Sequence, residues 1–426
     1  MIANIDRTKA PEAFPLDKVN LIHAKSVLLS NGMQVYVVDG SEEEVVRLEL
    51  VFIAGTRAER NVLIANATNH LLNAGTSKMT SAEIMEKIDF YGAYYQHENQ
   101  LDRSSVSLYT LKKYFKETVA IFSEIIQDPI FPEHEIETYL KNTKQRFEIN
   151  CTKNDFIARR EFHKALFGNH PYGKKVETDD FDKVNRDEIL AYYNEHYKIE
   201  NAYVVLSGNI DSEILNHLEK AFYTFQFKEK SKVEYLEVSK PEPVNFYDER
   251  ADSLQSAIRI GKQIVHKTHK DYIELSILTT ILGGYFGSRL MTNIREDKGY
   301  TYGIGAGLYP VLDTSFFYIA TEVGVDVTQS ALNEIYSEMD RLMTELVPEE
   351  ELQLVKNYLK GAFIGSIENV FSHADKFKSI ILYNLDYDYY TQYFDLIDKV
   401  NSERLLQLAK EYFQRNTLTE VVIGKK

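Results

Sequence analysis

Residues 66–76 read Asn66-Ala67-Thr68-Asn69-His70-Leu71-Leu72-Asn73-Ala74-Gly75-Thr76, and the spacing in and just before this run is helical. Leu63, Ile64, Ala67, Leu71 and Ala74 recur at the interval that buries one helix face. Asn66, Asn69, His70 and Asn73 form an adjoining stripe, because residues three and four apart are neighbours on a helix surface. One face is therefore committed to a core, and a line of amides and an imidazole lies beside it.

Outward from this run, Arg47 to Ile53 alternates and then turns apolar, as a half-buried strand does. Thr80-Ser81-Ala82-Glu83 has capping-box spacing and predicts a helix to about Phe90. Pro132 sits where a long helix starts, and Leu332, Ile335, Met339 and Leu342 trace one helical face. The chain also repeats itself. Asp182-Lys183-Val184-Asn185 precedes a helix-like run ending at Tyr197 and then Val204-Val205-Leu206 and Gly208; Asp398-Lys399-Val400-Asn401 precedes a run ending at Phe413 and then Val421-Val422-Ile423 and Gly424. The same offset carries Phe131-Pro132-Glu133 onto Val347-Pro348-Glu349. A period of about half the 426 residues far exceeds the roughly 20–50 residues of solenoid repeats, so a whole domain is duplicated. Strand clusters with helices on one side predict an α+β fold rather than strict βαβ alternation. The expected division is residues 1–230 and 244–426, with a linker over 231–243 where Pro241 and Pro243 discourage regular structure.

The composition, 44% hydrophobic and 27% charged, is that of a globular protein. A formal charge of −15 repels phosphate backbones and anionic lipid, and no local basic patch stands out in the linear sequence, so neither nucleic acid nor a membrane is an expected partner. The same charge leaves room for an acidic chamber that favours basic peptides. The single cysteine, Cys151, has no disulfide partner within the chain and reads as a half-buried structural thiol. No secretory pattern opens the sequence and no apolar run reaches the roughly 18 residues of a span; a cytoplasmic protein is expected, or a periplasmic one if a signal was removed.

In a His-x-x-Glu-His helix, two imidazoles one turn apart hold zinc and the glutamate activates water. The corresponding positions here are Asn66, Asn69 and His70, so only the last imidazole remains. On this helix through Gly75-Thr76, on Phe167-Gly168-Asn169-His170-Pro171-Tyr172-Gly173, and on Gly283-Gly284-Tyr285-Phe286-Gly287-Ser288-Arg289-Leu290 with Arg295-Glu296-Asp297-Lys298-Gly299-Tyr300-Thr301-Tyr302, the chain resembles the insulinase, pitrilysin and mitochondrial-processing-peptidase family of inverted zinc-motif peptidases. The resemblance spans nearly the whole chain. It implies a half-clamshell of two related domains, each a mainly antiparallel sheet with helices on one face. It implies a third metal ligand, a glutamate, for which Glu148 is the match. It also implies that Arg295 and Tyr302 are the pair that hydrogen-bonds peptide near the zinc of a facing half, and that His97 lies on an edge strand that pairs with peptide through its backbone. His170, before a proline, reads as a turn residue rather than a ligand.

The departures decide the expected function. Asparagine is a poor zinc ligand, and Asn69 cannot take a proton from water. Loss of a general base alone costs about 10²–10⁴ in rate, and loss of the metal removes its hydroxide too. No metal is expected in this chain at the degenerate set Asn66, Asn69, His70 and Glu148. The favoured reading is a subunit inactive alone, which binds peptide and supplies Arg295 and Tyr302 to a homologous partner that carries zinc in an intact motif. In isolation the chain could pair with itself as a homodimer. The alternative is a retired peptidase used as a metal-independent peptide-binding or scaffold protein.

Overall fold

The structure, a computed structural model, describes residues 7–8, 19–225 and 236–425. A first sheet contains β1 (Lys25–Leu28), β2 (Gln34–Asp39), β3 (Val45–Phe52), β4 (Tyr94–Asn99), β5 (Ser104–Leu111) and β6 (Ala202–Gly208), in the order β1-β2-β6-β3-β5-β4. A second contains β7 (Asn245–Glu249), β8 (Gln255–Ile264), β9 (Ile304–Pro310), β10 (Ser315–Gly324) and β11 (Thr419–Gly424), in the order β7-β11-β8-β10-β9. Without the β1 hairpin arm the two orders match strand for strand. In each sheet one pair is parallel, β2 with β6 and β7 with β11, and the remaining pairs are antiparallel. The duplication seen in the sequence is thus a duplication of topology, and the fold is α+β.

The first half carries α1 (Ile64–His70), α2 (Ser81–Phe90), α3 (Phe115–Gln127), α4 (Glu133–Asn150), α5 (Asn154–Phe167), α6 (Arg186–His196) and α7 (Ser212–Ala221). The second carries α8 (Tyr272–Thr279), α9 (Thr328–Thr344), α10 (Glu349–Gly365), α11 (Val370–Ile381), α12 (Asp388–Lys399) and α13 (Ser402–Tyr412). The Thr80–Glu83 capping box forms as its spacing predicts, with both reciprocal bonds present at the start of α2. Pro132 is the N-cap of α4, and Leu332, Ile335, Met339 and Leu342 are all buried on α9. The expected linker begins outside the described residues; from 236 to 243 the chain has no regular structure.

Each sheet packs one face on helices of its own half. Leu48, Leu50 and Phe52 join Ala67, Leu71, Phe115, Phe122 and Ile189 in the first core, and Ile258, Ile260, Phe317 and Val422 join Leu275, Ile335 and Leu405 in the second. The opposite faces are covered by exchange. Val370, Ala374 and Phe377 of α11 lie on Val38 and Val205 of the first sheet, while Ala158, Phe162 and Leu166 of α5 lie on Ala257, Val421 and Ile423 of the second. Strand β3 is therefore not half-buried, as its alternation suggests, but covered on both sides. Its polar residues Arg47 and Glu49 are each only 4% exposed; Arg47 pairs with Asp375 at 3.0 Å and Glu49 with Lys378 at 2.6 Å, both partners on α11.

Candidate functional site

Helix α1 packs on the edge strand β4 and its neighbour β5, and against α6. Its entry is unusual, since Leu63 adopts a left-handed conformation with φ 77°, sparsely populated by residues other than glycine. No N-cap side chain serves it. Instead the buried carboxyl of Glu59 accepts from the Ala65 amide at 3.0 Å. Burial pushes the Glu59 carboxyl up to about 7, against the opposing pull of that amide and of Lys174.

The expected polar stripe splits in two. Asn69 is fully buried and saturated: its Nδ2 donates to the Glu98 carbonyl at 2.8 Å and the Ser105 carbonyl at 3.4 Å, and its Oδ1 accepts from Tyr197 at 3.0 Å. It ties α1 to β4, β5 and the end of α6. Asn66 accepts from the Asn99 amide at 3.1 Å. His70 meets His97 of β4, Nδ1 to Nε2 at 2.8 Å, with the Tyr139 ring 4.6 Å away on another side. Burial, His97 and Arg146 lower the His70 pKa to about 4, so the ring is neutral at neutral pH.

These residues line a cavity of about 630 Å³. Its far wall is α4, through Tyr139, Thr143, Arg146, Phe147 and Asn150, which follow one another at helical intervals along one face. Glu148 is exposed and does not line the cavity. Its position in the helical turn puts it roughly opposite Arg146, because successive residues rotate by about 100°. The expected third ligand is therefore not brought to His70; a guanidinium is. The structure also gathers a basic patch that the linear sequence hides, since Arg146, Arg160, Lys174 and Lys175 all line this cavity and, among the described residues, no carboxylate does.

This set does not fit a catalytic zinc. Among the described residues no group of three or more His, Cys, Asp or Glu side chains is placed to hold a metal. His70 and His97 are hydrogen-bonded at 2.8 Å, closer than the about 3.3 Å that separates two imidazole nitrogens on one tetrahedral zinc. Arg146 would repel the ion.

The second-half motif is built differently, on a pinned loop. The segment Thr280–Gly284 presses against β9, where a Cβ on Gly283 would come within 2.8 Å of the Ala306 backbone nitrogen. Arg289 forms a bidentate pair with Glu351 of α10 at 2.9 and 2.8 Å, and Asn293 bonds Glu334 and Glu338 of α9 at 3.0 and 2.8 Å. Gly299, at φ +66°, turns the chain back, and Thr301 fastens it to the Glu322 carbonyl of β10 at 2.7 Å. On this base the tip is open. The Arg295 guanidinium lies 4.7 Å from the Phe286 ring centroid and 5.3 Å from that of Tyr302; Tyr302 is 90% exposed and Phe286 62%. Arg295 and Tyr302 are thus brought together, and Phe286, which the sequence motif contains without singling out, completes the clamp. Each contact is worth about 0.5–1 kcal/mol at an exposed position.

His170 caps the turn Pro171–Gly173, and the structure adds a partner from the other half, with Nε2 3.3 Å from Asp313. Arg57 also pairs with Asp313, at 2.5 Å, while Asp102 accepts from Tyr172 at 2.5 Å and from the Leu312 amide at 2.9 Å. The Asn169-His170-Pro171-Tyr172 run is a clamp between halves. Cys151 is free and half-buried. His97 lies on β4, an edge strand of the first sheet.

Family models confirm the grouping. Residues 35–180 match the model described as insulinase (peptidase family M16), and residues 183–359 match that of the peptidase M16 inactive domain. The chain belongs to this peptidase family. An uncharacterized zinc protease of Rickettsia bellii is 24% identical over 93% of this chain and 96% of its own length. A protein of Helicobacter pylori named as a non-peptidase homolog is 21% identical over 87% of each chain. The crystal structure of a peptidase M16 inactive domain from Pseudomonas fluorescens superposes with a TM-score of 0.86 at 21% identity, covering 95% of this chain and 98% of that one. No helix among the described residues is long and apolar enough to cross a membrane.

Proposed function

We propose that this chain is a metal-free subunit of a heteromeric zinc peptidase, which binds peptide and presents Arg295 and Tyr302 to the zinc site of a homologous partner with an intact His-x-x-Glu-His. The observation that carries the reading is the Phe286–Arg295–Tyr302 clamp. It is a half-buried guanidinium beside an exposed phenol, on a loop tied to α9, α10 and β10. Among the described residues Arg295 meets two rings and no carboxylate, so its donors are free for a peptide carbonyl or a developing oxyanion. The α1 cavity supports the other half of the reading, because its residues do not fit zinc. Peptide is expected to add to the β4 edge, with main-chain bonds giving affinity and alternate side chains reaching pockets.

The test is co-purification of the tagged chain from its own cells under mild conditions, with mass spectrometry of what accompanies it. A stoichiometric homologue bearing His-x-x-Glu-His is expected. Repeated recovery of the chain alone would overturn the subunit reading in favour of a scaffold or peptide-binding protein without a catalytic partner.

A further inference from the structure

The geometry points to the α1 cavity as a carboxylate-binding pocket, in which Arg146 and Lys174 receive an acidic group carried by a peptide laid along β4. The inference rests on the peptide-binding reading above and names the class of ligand at that site.

Four cationic side chains line the cavity, in a protein whose formal charge is −15. Two of the four are already matched: Lys175 pairs with Glu161 at 2.9 Å and Arg160 with Glu177 at 3.1 Å. Among the described residues Arg146 has no carboxylate partner, and Lys174 has only the charge of the nearby Glu59. Arg146 makes only long contacts to the Asn142 carbonyl at 3.4 Å and the Thr143 hydroxyl at 3.5 Å. Lys174 donates to the carbonyls of Glu59 and Arg60 at 2.8 and 3.1 Å. Glu59 is the nearby carboxyl that could compete, but it does not line the cavity and accepts from the Ala65 amide. Charge-assisted bonds from a guanidinium to a carboxylate are among the stronger ones available, and here one end is already in place.

The rest of the lining suits an acidic side chain or chain end. Phe147, Phe156 and Phe181 supply an apolar wall for a stem. Asn66, Asn99, Asn150 and Thr143 supply neutral hydrogen-bonding groups around a head. His97 and Asn99 on β4 line the cavity while Tyr94, Gln96 and Glu98 alternate with them and are exposed. A peptide strand paired on that edge would send every second side chain to the cavity side. The volume, about 630 Å³, is in the range of ordinary ligand pockets.

Two titrations of the full chain test this. In the first, N-acetylglutamate and N-acetylglutamine are added while the ring resonances of His70 and His97 are followed by NMR. The expected result is a saturable shift with the acid and none with the amide, weakened about tenfold by Arg146→Gln or Lys174→Gln, as loss of one charged hydrogen bond implies. Equal responses to acid and amide, no response to either, or indifference to both substitutions would overturn the carboxylate pocket. In the second, fluorescent peptides are compared by anisotropy: one with an internal glutamate, the same with glutamine, and each with a free or amidated C-terminus. Tighter binding by about tenfold for the glutamate peptide assigns the group to a side chain; the same gain from the free C-terminus assigns it to the chain end. Peptides that bind without regard to charge would leave the peptide-binding reading standing and remove the pocket. Acid-specific shifts with no peptide bound would uphold the pocket and remove the peptide.

Discussion

Helices α1 and α8 occupy the same place in the duplicated fold, α1 against β4 and β5 and α8 against β9, the corresponding edge strand, and they have been used in opposite ways. On α8, Tyr272, Ile273, Leu275, Ile277 and Leu278 are buried, and the hydroxyls of Ser276, Thr279 and Thr280 bond back to carbonyls of their own helical run. It is scaffold throughout, and the exposed polar groups of its half stand on the loop that follows. On α1 a polar stripe persists, but its innermost member has turned to structural work: Asn69 holds two strands and Tyr197. Under the proposed function one half carries its chemistry on a pinned loop, while the other keeps a cavity whose polar groups partly serve the fold. Substitution should therefore cost function in one region and stability in the other.

The largest effect is expected at the outward loop. Arg295→Ala should lower turnover of the assembled enzyme by about 10²–10³, the usual cost of losing an oxyanion donor, and leave the unfolding midpoint of the isolated chain in place. Unchanged turnover would take the pair out of the mechanism. Asn69→Ala should do the reverse. It takes one partner from the buried Tyr197 hydroxyl, which retains Ser104, and the donor from two carbonyls, and a loss of about 2 kcal/mol is expected, read from the shift of a urea transition; a loss below about 0.5 kcal/mol would mean that the buried bonds contribute nothing net.

The two regions should also differ in their response to pH. Burial raises the Glu59 carboxyl from its ordinary value of 4.5 to about 7 in the folded chain. A group raised on folding contributes stability below its unfolded pKa and loses it as pH rises through the folded one. Glu59 alone should therefore weaken the first half between pH of about 4.5 and about 7, by roughly 3 kcal/mol, against an opposite contribution from His70, whose pKa is lowered to about 4, and Glu59→Gln should remove the falling part of the stability profile. A profile identical in the variant would refute the assignment. Smallest are the changes within the clamp. Tyr302→Phe should cost the assembled enzyme about tenfold by removing one donor, and Phe286→Ala a few-fold, in line with a cation–π contact of about 0.5–1 kcal/mol. An effect of Phe286→Ala as large as that of Arg295→Ala would make the ring a direct peptide contact rather than a support.

Much of this was legible beforehand because it is local or repeated. The Thr80 cap, the Pro132 helix start, the α9 stripe and the offset between halves each depend on residues near one another or on a constant period. The Arg295–Tyr302 pairing was legible only through resemblance. What escaped has a common cause, which is that it depends on what faces what. Alternation in β3 shows that Arg47 and Glu49 share a face, but not that α11 covers it. Counting along the chain selects Glu148, whereas the angular phase of α4 delivers Arg146. The basic lining is assembled from α4, α5 and the turn after Tyr172, so no window of sequence contains it. Phe286 sat inside a quoted motif, and its proximity to the guanidinium needed the fold of the loop to be seen.

The exchange of α5 and α11 bears on how the protein is made. When the ribosome has finished the first sheet at Gly208, the strand faces that carry Val38 and Val205 have no cover, because α11 does not begin until Val370. Arg47 and Glu49 wait equally long for Asp375 and Lys378. Synthesis at about 5–20 residues per second leaves that surface open for many seconds. For that time the first half shows an apolar face that α11 alone covers, and its packing is complete only when nearly the whole chain has emerged.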